Sequence, residues 1–200
     1  MKTKDKILQT ACDMFNATNT QAATTNHIAK KMGISPGNLH YHFKNREEII
    51  LNLYRHMRSE LTLKSDSLPK TLQELIEHQK VIFKVLWKYR FFQRELLFLL
   101  SRDATLKNEY INDNIAHRSR IIKTLQNFSQ NEIIVSKYTN VIEHLADSIL
   151  MTFQFWTPFI EAQDKPLNEY NIELAIIHTR EILRPYLSES SLKLVSKLET

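Results

Sequence analysis

The chain has 200 residues, 42% of them hydrophobic and 24% charged, with a formal charge of +5. That is long enough to bury a sizeable apolar core in one large domain or two small ones. No apolar run approaches the roughly 18 to 20 residues that cross a bilayer, the charged start MKTKDKILQT lacks a signal peptide's apolar stretch, and the lone Cys12 cannot build a disulfide framework, so a cytoplasmic, non-membrane protein is expected. The charge is uneven. Residues 1–55 hold eight Lys/Arg against four Asp/Glu, a net of +4, whereas the other 145 residues hold 19 against 18. Such asymmetry favours a polyanionic partner for the first quarter, nucleic acid before others; a soluble basic segment without a partner is the plainer reading.

In chain order, Ile7, Leu8, Ala11 and Phe15 recur at helical spacing and predict a first helix over about 3–17. Thr24 or Thr25 suits the N-cap of a short second helix carrying Ile28, Ala29 and Met32 and ended by Gly33. Ser35 caps a third, with Pro36 at its first position, where the missing N–H does no harm. A fourth starts near Asn45, has Glu47 and Glu48 in its first turn, and runs past Met57. KSDSLPKT, residues 64–71, reads as a linker. Further helices are expected at about 71–88, 91–102, 105–128, 138–162 and 167–184, then a short C-terminal one; Pro158 should kink or shorten the fourth of these and Pro185 end the fifth. No strand-like alternation stands out, so the fold class is all-α.

Both glycines of the chain fall within GISPGNLHYHFKNREEII, four positions apart. A helix-turn-helix needs a left-handed backbone residue at its turn, which glycine adopts most easily, and Gly33 supplies it. The second helix must bring its first turn close to DNA, and Pro36, Gly37 and Asn38 are small enough to allow this. Ile34 and Leu39 pin that helix to its neighbours, Phe43 is core, and His40, Tyr41 and His42 cannot all be buried.

TTNHIAKKMGISPGNLHYHFKNREEI, with ILQTACDMF upstream, resembles the DNA-binding domain of the TetR (tetracycline repressor) family of bacterial transcriptional regulators. The likeness covers about residues 5–52. It implies a helix-turn-helix domain over 1–52, a connecting fourth helix over 46–63, and a helical-bundle domain over 53–200 for ligand sensing and dimerisation. Carried over, Thr25 caps the second helix and touches a phosphate; Asn26, Gly37, Asn38 and Tyr41 face base edges or the groove wall; Ser35 and Pro36 open the recognition helix; His40, His42, Lys44 and Arg46 meet or flank the backbone. His40 stands where the family usually has a phosphate-binding tyrosine. Imidazole donates the same bond more strongly when charged, so DNA affinity is expected to fall as pH rises from about 6 to 8. Asn19 stands near a usual glycine, and tolerates a left-handed backbone.

By the same resemblance the chain is a homodimer on a near-palindromic operator, with Leu174, Ile177 and Leu183 as candidate contacts. An apolar effector pocket would draw on the aromatic clusters, Trp87, Phe91, Phe92, Phe98, Phe153 and Trp156, with Arg94, Glu95, His117 and Gln154 as polar groups; at helical spacing, packing alone explains most such aromatics. A ligand-released repressor is the leading expectation, with an activator or an effector-free regulator as alternatives. No Gly-rich phosphate loop, HExxH or GxSxG is present. Glu143, His144 and Asp147 in EHLAD read as a polar helix cluster rather than a metal site, so no cofactor is expected and a small all-α enzyme is the remote alternative.

Overall fold

A computed structural model describes residues 2–63, 67–135 and 140–198. The chain forms α1 (Thr3–Ala17), α2 (Thr25–Met32), α3 (Pro36–His42), α4 (Arg46–Leu63), α5 (Leu72–Lys88), α6 (Arg90–Arg94), α7 (Leu96–Arg102), α8 (Ala104–Gln130), α9 (Val141–Glu161), α10 (Glu169–Leu183), a 3-10 turn (Arg184–Tyr186) and α11 (Glu189–Leu198). Among the described residues the extended pairing is confined to one bridge, Ile134 with Leu187.

Local chemistry places the boundaries. Side chains satisfy otherwise unpaired N–H groups at the starts of helices: the Thr71 hydroxyl accepts from Glu74 N–H at α5, the Asp103 carboxylate from Thr105 and Leu106 at α8, and the Asn168 carbonyl from Asn171 at α10. The predicted helix over 91–102 is two helices, interrupted at Glu95 (φ −108°, ψ 14°). At this break Arg94 reaches α1 and Glu95 the turn after it. The helix expected from 138 starts at Val141, behind a left-handed Asn140 (φ 63°); residues 138 and 139 lie outside the described residues, as does the Lys64–Asp66 part of the expected linker. Pro158 sits inside α9, which continues to Glu161, and its carbonyl still accepts from Ala162 N–H at 2.9 Å. Pro185 lies just past the end of α10, as its missing N–H requires. Asn19 keeps a negative φ; its side-chain carbonyl accepts from Ala22 N–H at 2.7 Å instead.

Two buried clusters organise the molecule. One packs Ile7, Phe15, Ile28, Leu39, Phe43 and Ile49 of the N-terminal helices and runs without a break into Val85, Tyr89, Phe91, Phe92, Leu99 and Leu106. The other joins Leu72, Leu125, Phe128, Leu145, Ile149 and Leu183 between the ends of α5, α8, α9 and α10.

Candidate nucleic-acid interface and internal cavity

The turn between α2 and α3 is set by Gly33, which is left-handed (φ 68°). Its N–H reaches the Lys30 carbonyl at 3.2 Å, and Ile34 N–H reaches the Ala29 carbonyl at 3.1 Å, closing α2. The Ser35 hydroxyl accepts from Asn38 N–H at 3.2 Å and Pro36 takes the first helical position. α3 is thereby two-faced. Leu39, with Phe43 just beyond the helix, is completely buried, while Pro36, Gly37, Asn38 and His40 are exposed and Tyr41 is 86% exposed. Asn26, Ser35 and Lys44 are exposed on the same N-terminal unit, and Thr25 and His42 are half-buried. Among the described residues the aromatic neighbour of Tyr41 is His42, 5.1 Å away in an edge-to-face arrangement.

Two sequence expectations change. Thr24, not Thr25, caps α2: its hydroxyl accepts from His27 N–H at 3.3 Å, leaving Thr25 as the first helical residue. Arg46 is not a free cation. Its guanidinium donates to the Thr20 carbonyl at 2.8 Å and pairs with Glu47 at 3.3 Å, so it fastens the start of α4 to the turn after α1.

His40 Nδ1 lies 3.2 Å from the Lys44 carbonyl. A carbonyl only accepts, so Nδ1 carries a proton and Nε2 is the ring nitrogen left for a partner.

Polar ties hold the N-terminal unit to α6. Asn16 donates to the Lys88 carbonyl at 2.8 Å and accepts from Phe91 N–H at 3.0 Å. Arg94 donates to the Phe15 and Thr18 carbonyls at 2.8 and 2.6 Å. The Glu95 carboxylate accepts from Thr20 N–H at 3.0 Å and from its hydroxyl at 2.6 Å.

A cavity of about 220 Å³ lies between α4, α5, α8 and α9. Of the residues expected to line a pocket, Phe92, His117, Phe153 and Gln154 are on its wall. The others fall elsewhere for identifiable reasons. Trp87 carries the Arg90 guanidinium over its ring at 4.2 Å; Phe91 is buried against Phe15, 5.3 Å between rings; Arg94 and Glu95 make the ties just described; Phe98 packs on the first core cluster; and Trp156 Nε1 donates to the Asn171 carbonyl at 2.7 Å. Tyr54, His78, Asp113 and Arg120 line the cavity and were not anticipated. Their signal is faint: on α8, Tyr110, Asp113, His117, Arg120 and Thr124 follow three- and four-residue steps, a polar stripe on a face that turns inward.

The Tyr54 hydroxyl donates to Asp113 at 2.6 Å, and Arg58 lies 3.4 Å from Asp113 and 3.1 Å from Glu109, joining α4 to α8. Burial, then the Asp113 carboxylate, pushes the Tyr54 phenol far up, and burial pushes Tyr110 up to about 12. His78 and His117 are held below the ordinary imidazole range, chiefly by burial; the Arg120 charge adds to this at both, and Asp113 opposes it at His117. His117 is itself exposed and lines the hollow. The EHLAD aspartate, Asp147, is paired with Arg118 at 2.5 Å. Among the described residues no cluster could hold a metal ion, and no helix is long and apolar enough to cross a membrane.

A two-faced recognition helix after a tight glycine turn, mounted on a larger helical body, defines a helix-turn-helix regulator. The family model described as bacterial regulatory proteins, tetR family, matches residues 7–53, and that described as TetR, bacterial transcriptional repressor, matches residues 53–195. The chain belongs to the TetR family and is a transcriptional regulator. It is 43% identical over 53 residues to the HTH-type transcriptional regulator QacR of Staphylococcus aureus (strain Mu50 / ATCC 700699), a match spanning 26% of this chain and only 28% of that one. Over 99% of its length it resembles a TetR-family transcriptional regulator from Marinobacter aquaeolei VT8, with TM-score 0.88, 27% identity and 97% of that chain covered. The ketosteroid transcriptional regulator KstR2 of Mycobacterium tuberculosis shares the fold, with TM-score 0.68 and 19% identity over 94% of this chain and 96% of that one.

Proposed function

We propose that this chain is a dimeric repressor that grips a near-palindromic DNA operator with α2 and α3 and is released by a small, largely apolar effector in the cavity. The observation that carries the DNA reading is the division of α3: its apolar residue Leu39 is sealed in the core while Gly37, Asn38, His40 and Tyr41 are exposed. Thr25, Asn26, Ser35, Pro36, His42 and Lys44 complete the candidate contact surface, and Arg46 supports it from behind. Residues 1–52 serve DNA and residues 53–200 serve sensing and dimerisation, in the cytoplasm.

The dimer reading is supported by Met151, Phe155 and Phe159 of α9 and Tyr170 and Ile177 of α10, large apolar side chains left exposed and suited to a second copy of this face. Leu183 belongs to the chain's own core and is not available to such a contact, and Leu174 is half-buried. Two recognition helices related by a two-fold axis would sit about 34 to 36 Å apart, one DNA turn. The effector's influence would pass through α4, which starts beside the recognition unit and whose Tyr54 and Arg58 are on the cavity wall; a coupling of about 1 to 3 kcal/mol suffices to change occupancy.

The test is a titration of duplex DNA adjoining the protein's own gene at several salt concentrations, with mass measured by light scattering. A two-to-one complex is expected, with affinity falling steeply as salt rises, about 0.9 log units per log unit of salt for each phosphate neutralised. No preference for any duplex over single strands would end the reading.

A further inference from the structure

Three rings on the cavity wall form one cluster. Tyr54 of α4 and Phe92 of α6 stack at 5.0 Å with their planes 26° apart, and Tyr110 of α8 lies 6.2 Å from the first and 6.1 Å from the second. All three line the hollow. Tyr54 and Phe92 are nearly sealed, whereas Tyr110 is half-buried and is the member of the cluster with most surface left for a guest.

The polar groups of the same wall are turned on protein partners. Asp113 accepts from the Tyr54 hydroxyl at 2.6 Å and pairs with Arg58 at 3.4 Å, and Arg58 also meets Glu109 at 3.1 Å. Gln93 donates to the Phe153 carbonyl at 2.9 Å and accepts from the Thr157 hydroxyl at 3.3 Å. Gln79 donates to the Thr179 hydroxyl at 3.2 Å and accepts from Arg180 at 3.0 Å, and Gln154 donates to Asn114. Arg120 has an interaction of its own, and the imidazoles of His78 and His117 are shifted toward their neutral form, chiefly by burial. Among the described residues, then, no carboxylate or guanidinium of the wall stands without a partner. A charged guest would shed its hydration and meet no counter-ion, a cost that an apolar surrounding does not offset.

We propose that the cavity receives a neutral aromatic molecule of about two fused rings, laid against the cluster of Tyr54, Phe92 and Tyr110. This deepens the reading of the cavity as an effector site and rests on it. An engineered apolar cavity of about 150 Å³ takes up benzene, so a volume of about 220 Å³ suits a bicyclic ring better than an extended polycycle. Ring pairs attract one another beyond what their buried area supplies, when offset or edge-on, and an aliphatic guest of the same skeleton lacks that gain. Tyr54 belongs both to the cluster and to α4, so the guest's ring meets the helix that starts beside the recognition unit.

The probes are 2-naphthol, 2-naphthoate, 2-naphthylmethylammonium and decahydro-2-naphthol, which share a carbon skeleton and differ in charge or in aromaticity. Calorimetric titration of the full chain at pH 7 should show 2-naphthol binding roughly tenfold or more tighter than either ion, and about two- to tenfold tighter than its decahydro counterpart. Tyr110→Leu, which keeps the wall apolar but removes a ring, should bring the two neutral probes to about equal affinity; if that variant fails to fold, the native protein's ranking of the four probes decides the matter. An ion bound as tightly as 2-naphthol, a decahydro probe bound equally well, no binding of 2-naphthol, or an undiminished aromatic preference in folded Tyr110→Leu would overturn the assignment. Operator release by an ion or by the decahydro probe, without release by 2-naphthol, would leave the sensing role standing while the aromatic guest falls. The expected ranking with unaltered operator affinity would leave the aromatic site standing while the sensing role falls.

Discussion

Tyr41→Ala is expected to weaken operator binding roughly tenfold to a hundredfold while leaving the fold intact. The side chain is 86% exposed, its aromatic neighbour is the edge of His42, and exposed substitutions of this kind change stability by no more than about 0.5 kcal/mol. On DNA the same ring would cover a groove wall or a thymine methyl, burial worth about 1 kcal/mol or more each time, and a two-fold dimer makes the contact twice. The measurement is an anisotropy titration at fixed salt beside a thermal melt of the same sample. A native affinity in the variant would show that α3 does not present this face to the groove; a lost affinity accompanied by a lost melting transition would point to folding instead.

The second large effect concerns stability. Phe91 is completely buried, 5.3 Å from Phe15 of α1 and 6.3 Å from Phe92 on the cavity wall, and its N–H is held by Asn16. Phe91→Ala should destabilise the protein by about 3 to 5 kcal/mol, a large share of the roughly 5 to 15 kcal/mol that a folded domain commands. Because the ring joins the N-terminal unit to the body, the urea midpoint should drop for both parts together. A loss under about 1 kcal/mol, or a shift confined to one part, would mean that the two units do not share a core.

The N-terminal unit was legible because its boundaries are made by local chemistry. Gly33, Ser35 and Pro36 each act within four residues of their own position, and the inward pair Leu39 and Phe43 follows from helical spacing. The one ambiguity there, Thr24 or Thr25, was settled by which hydroxyl reaches His27 N–H. The tie of Arg46 to the Thr20 carbonyl was not legible because that partner lies 26 residues away, beyond any periodicity. Arg94 and Glu95 illustrate the same limit: polar residues amid aromatics suggest a pocket, yet they bind α1 and the turn after it. They also break a helix that the apolar pattern alone would continue. The cavity wall was the least legible part, since Tyr54, His78 and Arg120 come from three helices and line one hollow only after packing.

Gly37 puts these two kinds of demand in opposition. Its backbone is ordinary, and a methyl group added there would find only the Ser35 hydroxyl, 4.0 Å away. Among the described residues nothing requires a bare α-carbon at that point. Alanine should therefore raise the melting temperature, by the equivalent of about 0.4 to 1 kcal/mol, while pushing the helix off its duplex. If α3 enters a groove as proposed, the gap above Gly37 is a mould whose casting lies outside the polypeptide, and selection for thermal robustness alone would fill it at the expense of gene control.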